Sequence, residues 1–175
     1  MSEGVHQLCF CGAPWPISAI KWNEHLSYLT INDTWVTQVN AVDAGGLTAL
    51  MWAAAYGQAP TTALLLRAGA IHSTRGPDGE TALHLAASGG HTEIIRLLLA
   101  AGMAVDDADD MGSTPLMYAA HGNHAHALNE LLNHSADPTN TNLNDETALS
   151  IAVRRRAVDA RTVIEGYLFM VLQPS

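Results

Sequence analysis

Four histidines gathered in one stretch, His121, His124, His126 and His134, are the residues of this chain whose type best suits holding a metal ion. His121 and His124 stand three positions apart, which on a helix would put two imidazoles on one face. Gly122-Asn123 breaks a helix between them, however, and no carboxylate or thiolate completes a ligand set at a recognisable spacing. Capping and hydrogen bonding are the expected roles. Cys9 and Cys11, with His6 beside them, form a weaker zinc candidate and read better as buried free thiols. Gly45-Gly46 and Gly89-Gly90 lack the Lys-Ser or Lys-Thr that must follow in a phosphate loop. With no nucleophile motif and no paired carboxylates, the chain is read as non-catalytic, with neither metal nor cofactor.

Charge narrows the partners. Eight Lys and Arg face seventeen Asp and Glu, a net charge of -9, which repels phosphate backbones and anionic lipid. Direct binding to nucleic acid is therefore not expected. Arg154-Arg155-Arg156 is the one basic cluster, a solvated face or a docking spot for an acidic partner. Two cysteines separated by a single residue rarely form a relaxed disulfide, so a reducing, intracellular compartment (nucleus, cytoplasm or both) is expected. Neither a signal peptide nor an apolar run of roughly eighteen residues is visible. The 175 residues suit one domain with a real core, 48% of them apolar and 14% charged, and a monomer is expected.

The elements that would position any site come from an internal repeat. Thr48-Ala49-Leu50-Met51-Trp52-Ala53-Ala54 returns as Thr81-Ala82-Leu83-His84-Leu85-Ala86-Ala87, as Thr114-Pro115-Leu116-Met117-Tyr118-Ala119-Ala120 and as Thr147-Ala148-Leu149-Ser150-Ile151-Ala152-Val153, with a period of 33. Gly46, Gly79 and Gly112 precede the first three strings, where a tight turn needs positive φ; Asp145 replaces the fourth glycine, which predicts a looser turn. Each threonine reads as a helix N-cap. Gly57, Gly90 and Asn123 then read as αL caps, before second helices expected at Thr61–Arg67, Thr92–Ala100 and Ala125–Asn133.

One helix pair cannot bury its apolar face alone, so stacked pairs must share a core. The expected fold is all-α, a solenoid of four repeats over residues 39–172. A degenerate repeat with an insertion, rich in Trp and Pro, precedes it over residues 1–38. A lengthened cap, about Val158 to Leu172, ends it; its run Tyr167-Leu168-Phe169-Met170-Val171-Leu172 is expected not to stand wholly in water.

The period and the Thr-Pro-Leu-His-x-Ala pattern resemble ankyrin repeats. Val5-His6-Gln7-Leu8, Leu50-Met51-Trp52-Ala53-Ala54-Ala55, His121-Gly122-Asn123-His124 and Ser135-Ala136-Asp137-Pro138-Thr139 resemble, in that order, the ankyrin domain shared by the RFX-associated ankyrin protein and ankyrin repeat family A protein. That group carries Trp where this chain has Asp110. The resemblance implies an adaptor whose concave groove binds an extended segment of the Pro-x-Leu-Pro-x-Ile or Leu type. The implied partners are class IIa histone deacetylases and RFX transcription factors, and the implied setting is transcriptional regulation.

Trp52, Leu85, Tyr118 and Ile151 occupy one equivalent position, and residues three and four further on share their face, adding Tyr56, Ser88, His121 and Arg154. Facing a groove, this stripe would offer two large aromatics among small residues; facing inward, Trp52 and Tyr118 would be packing between repeats. The turn residues Asp43, Asp78, Asp109 and Asp110, with Met111, would project beside it, either toward a bound segment or as a solvated acidic rim. The candidate peptide-binding set is thus Trp52, Tyr56, Asp78, Leu85, Ser88, Asp110, Met111, Tyr118, His121 and Arg154. The alternative is a general scaffold that binds a folded partner through its turns or its convex face.

Overall fold

A computed structural model describes residues 39–171. The N-terminal repeat expected over 1–38, with Cys9 and Cys11, lies outside the described residues, as does Leu172. Within them, four short first helices begin every 33 residues: α1 (Ala49–Ala55), α3 (Ala82–Ser88), α5 (Pro115–His121) and α7 (Ala148–Arg155). Each is followed by an antiparallel partner: α2 (Ala59–Arg67), α4 (Thr92–Ala100), α6 (Ala125–Asn133) and α8 (Val158–Val171). Successive first helices pack side by side in one layer and successive second helices in another. The core runs unbroken between them.

Composition explains the close stacking. Ala53, Ala54, Ala86, Ala87, Ala119, Ala120 and Ala152 are wholly buried, so first helices approach one another across methyl groups, while Leu50, Leu83 and Leu116 fill the space toward the second layer. On α4 and α6 the inward residues are Ile94, Ile95 and Leu98, then Leu128, Leu131 and Leu132. The helix α2 begins at Ala59, two residues before the expected Thr61, because Pro60 fits the first turn, where no N–H is needed.

The turns repeat as faithfully as the helices. Gly46, Gly79 and Gly112 all have φ between 74° and 80°. The fourth turn is not looser: Asp145 adopts φ 57°, and its N–H reaches the Asn142 carbonyl at 3.0 Å, matching the 2.9–3.1 Å of the other three. Aspartate is among the few residues that tolerate this region, so the turn keeps its geometry without glycine. The αL caps fall at Gly57, Gly90 and Asn123, and Arg156 supplies the fourth with φ 58°. Thr48 and Thr147 cap their helices, accepting from the N–H groups of Met51 and Ser150. Thr114 does not, and its buried hydroxyl has no partner.

Histidines tie the repeats together. His91 Nε2 donates to the Ala55 carbonyl at 3.1 Å, and His124 Nε2, 33 residues on, donates to the Ser88 carbonyl at 2.9 Å. The ring of His124 lies so close over Gly122 that a Cβ there would meet it at 2.4 Å. The hydrogen-bonding role expected for His124 holds; His121 and His126 are exposed instead.

The last helix runs to 14 residues against nine for α4 and α6. Ala160 and Ile164 are buried against the array, and Val163, Tyr167 and Leu168 pack on it. Beyond Leu168 the helix outruns the layer beneath, leaving Phe169, Met170 and Val171 exposed. The run is thus packed at Tyr167 and Leu168 and exposed from Phe169 to Val171, so, as expected, it does not stand wholly in water.

Candidate groove between the turns and first helices

Each repeat solves the same local problem: the turn before its first helix needs acceptors for two backbone N–H groups. In the first repeat Asp43 supplies them, one carboxylate oxygen accepting from Gly45 N–H at 2.8 Å and Leu47 N–H at 3.0 Å. In the third, Asp109 does the same for Met111 at 2.9 Å and Ser113 at 2.7 Å. In the fourth, Asn142 accepts from Asn144 and Glu146. The second repeat has Gly76 there, and the buried Glu80 fills the vacant space with its carboxylate, accepting from Asp78 N–H at 2.9 Å.

A carboxylate has an oxygen to spare after closing the turn. That of Asp43 accepts from Trp52 Nε1 at 2.7 Å, and that of Asp109 accepts from the Tyr118 hydroxyl at 2.8 Å. Both pairs span nine residues and stand two repeats apart. Expected to face a ligand or solvent, Asp43 and Asp109 instead hold the polar tips of the two groove aromatics, because the turn aims them at the adjoining helix. The Leu47 N–H, and then the Trp52 indole, keep the Asp43 carboxyl below its usual range. Burial first, and then the bond to Asp109, raise the Tyr118 phenol well above its usual range, so it stays a donor.

The two aromatics have different neighbours. Trp52 stacks on the exposed ring of Tyr56, centroids 5.5 Å apart and planes 7° from parallel. Tyr118 packs edge-to-face with His84, centroids 5.1 Å apart and planes 75° from parallel. His84 is fully buried; its Nδ1 accepts from Thr81 N–H and Oγ1, and its Nε2 donates to the Ser113 carbonyl at 3.0 Å. That set of partners requires the neutral Nε2–H tautomer, and burial pushes the imidazole pKa down accordingly. Tyr118 thus both packs between repeats and lines the groove.

Between the third and fourth repeats the groove deepens into a concavity of about 380 Å³. Ser88, Met111, Tyr118, His121 and Arg154 of the candidate set line it together with Asp109, Ser113, Met117, Asn142, Glu146 and Ile151. Trp52 and Tyr56 lie two repeats away, with the half-buried Leu85 between. Asp78 and Asp110 are exposed at the turn edge, where the Asp110 N–H donates to the Asp78 carbonyl at 3.1 Å and stitches neighbouring turns together. Sequence reasoning missed Asn142, Glu146 and Ser113. Their one signal was position, since each aligns with a turn residue of another repeat.

Among the described residues no group of three or more His, Cys, Asp or Glu gathers as a metal site, and no helix is long and apolar enough to cross a membrane. A search of curated proteins found no match. A family profile described as ankyrin repeats in three copies matches residues 17–109, 50–142 and 102–165, most of the chain. With this match and the two-layer array of 33-residue helix pairs, the chain belongs to the ankyrin-repeat family, whose repeats are protein–protein interaction modules.

Proposed function

We propose that the protein is a non-catalytic adaptor that binds an extended, proline- and leucine-containing segment of another protein along its concave groove. The observation that carries this reading is the pinning of Trp52 and Tyr118 by the aspartates of their own turns. A ring whose polar tip is already bonded loses little freedom on binding and keeps an apolar face for proline or leucine, which is how aromatic-lined grooves take extended segments. The resemblance in the Met51-Trp52 and Gly122-Asn123-His124 strings supports the Pro-x-Leu-Pro-x-Ile or Leu type. It also supports class IIa histone deacetylases or RFX transcription factors as partners, in transcriptional regulation in the nucleus or cytoplasm. In this reading Ser88, Met111, His121 and Arg154 surround the segment near Tyr118, and Tyr56 and Leu85 extend the surface toward Trp52; Asp78 and Asp110 stand at its edge.

The test is affinity for a labelled Pro-Ala-Leu-Pro-Ala-Leu peptide, with melting temperatures recorded alongside. Trp52→Ala and Tyr118→Ala should each lose at least about 2 kcal/mol of binding, near thirtyfold. A wild-type protein that ignores the peptide overturns the specificity. One observation favours a second reading, a scaffold for a folded partner: Val42, Met111 and Leu143 expose apolar surface along the turns. Binding of a folded partner lost in Met111→Ser and Leu143→Ser, but kept in Trp52→Ala, would establish it.

A further inference from the structure

The groove has an electrical direction, set by which arginines lack partners. Of the seven arginines among the described residues, Arg75, Arg96, Arg154 and Arg161 each pair with a carboxylate: Asp107, Glu130, Glu146 and Glu165. In a chain with twice as many acids as bases that is the expected fate of a cation. Arg155 and Arg156 escape it at the end of α7, although Glu146 and Asp159 are near in sequence. Those two acids are engaged by Arg154 and by the Asn123 amide. Arg155, exposed one repeat beyond Gly122, is near enough for its charge to act on His121, and Arg154 beside it lines the concavity one repeat beyond His121. The row along the groove at that position therefore runs Ala55, Ser88, His121, Arg154, from neutral to cationic. His121, exposed but partly desolvated, registers the convergence: after that desolvation, the charges of Arg155 and then Arg154 are what depress its proton affinity. Along the turn edge of the groove, in the second and third repeats, Asp78 and Asp110 stand exposed.

We propose that the bound segment carries an Asp or Glu beside its apolar core and that this carboxylate docks at the fourth-repeat end of the groove, against Arg155 with His121 and Arg154 flanking it. This rests on the groove reading above and adds a polarity to it. A segment in the reverse direction would carry its acid to the first-repeat end, where Ala55 and Tyr56 hold the places of Arg154 and Arg155, so the charge selects orientation as well as partner. An unpaired, solvated arginine loses little on meeting a carboxylate, whereas Arg154 must share its charge with Glu146; Arg155 is the residue on which discrimination depends.

The experiment uses the full chain and labelled Pro-Ala-Leu-Pro-Ala-Leu peptides extended at one end or the other by two Glu, two Lys or two Ala. At one end the Glu form should bind about tenfold more tightly than the Lys form at about 50 mM salt, with the ratio shrinking at about 500 mM. Arg155→Ala should collapse that ratio while leaving the Ala-extended peptide unchanged. Arg67→Ala, which removes an unpaired arginine elsewhere, should preserve the ratio and so exclude a general effect of net charge. Equal affinities of the Glu and Lys forms at both ends overturn the inference, as does a ratio that survives in Arg155→Ala. If the Ala form binds and charge makes no difference, only this inference falls; if no form binds, the groove reading falls with it.

Discussion

The first and third repeats differ from the second and fourth in one respect: only the former join a turn aspartate to an aromatic of the first helix. All four turns have the same hydrogen-bonded shape, yet Asp43 and Asp109 close theirs with one oxygen and hold Trp52 or Tyr118 with the other. At the same places the second repeat has Gly76 and Leu85, and the fourth has Asn142 and Ile151. Fold and groove chemistry are therefore separable. The turn needs an acceptor of any kind; the aromatic needs a carboxylate in particular.

If the two kinds of repeat share one core, damage to that core should ignore the distinction. Leu83 in the second repeat and Leu116 in the third are both wholly buried at the same position. Leu83→Ala and Leu116→Ala should each cost roughly 2–5 kcal/mol, by far the largest effects considered, as measured by urea unfolding. Losses that differ by more than about 2 kcal/mol would mean the repeats are not energetically alike.

Next in size is an attempt to convert one kind of repeat into the other. A side chain at position 76 would strike the Glu80 carboxylate, since even a Cβ comes within 2.3 Å of it. Gly76→Asp should therefore destabilise by about 1–3 kcal/mol. Adding Glu80→Leu, which recreates the Asp43 and Leu47 arrangement of the first repeat, should restore most of that loss. Additive losses in the double variant would show that Glu80 does not stand in for the missing side chain.

The comparison also marks where reading the sequence stopped. Helices α4 and α6 were legible to the residue, because amphipathic leucines and αL residues bound them. The positive φ of Gly57, Gly90 and Asn123 was legible too, as few residues take that conformation. The pairing of Asp43 with Trp52 and of Asp109 with Tyr118 was not read, although both spacings are nine. Acidic turn residues look alike in a sequence, and only the aim of the turn decides which face inward. Glu80 was missed for the converse reason: its role is set by the absent side chain of Gly76. That the apolar run of α8 would be partly covered was legible; where along it the cover stops was not, because the extent of the surface beneath is set by other elements.

The junction between a plain and an aromatic repeat supplies a pH test. His84 is neutral in the fold, and burial holds its pKa below the value of about 6.5 that an unfolded chain would have. Between those two values the unfolded chain binds more protons, so the stability His84 provides is complete above about pH 6.5 and is lost as the pH falls through the folded value. The wild type should lose melting temperature between pH 7.5 and 5.5, and His84→Gln, though less stable at pH 7.5, should lose less. His121, exposed but with its pKa depressed by partial desolvation and by Arg155, leaves a residual slope. Identical slopes in the two proteins would remove His84 from the account.

The smallest effect is the most pointed. Tyr118→Phe keeps the ring and its edge contact with His84 but deletes the hydroxyl that Asp109 accepts from, while Asp109 continues to close its turn through Met111 and Ser113. The cost to stability should be about 0.5–1.5 kcal/mol, the net worth of one hydrogen bond. Leu85→Phe places a ring at the equivalent position of the second repeat, where Gly76 provides no carboxylate, and serves as the counterpart. If pinning prepares the groove, Tyr118→Phe should weaken binding of the Pro-Ala-Leu-Pro-Ala-Leu peptide a fewfold although no apolar contact is removed, and Leu85→Phe should not strengthen it. Should Tyr118→Phe bind as tightly as the wild type, the ring face alone carries recognition. Asp109 would then be a residue of the turn only, and the distinction between the two kinds of repeat would lose its functional meaning.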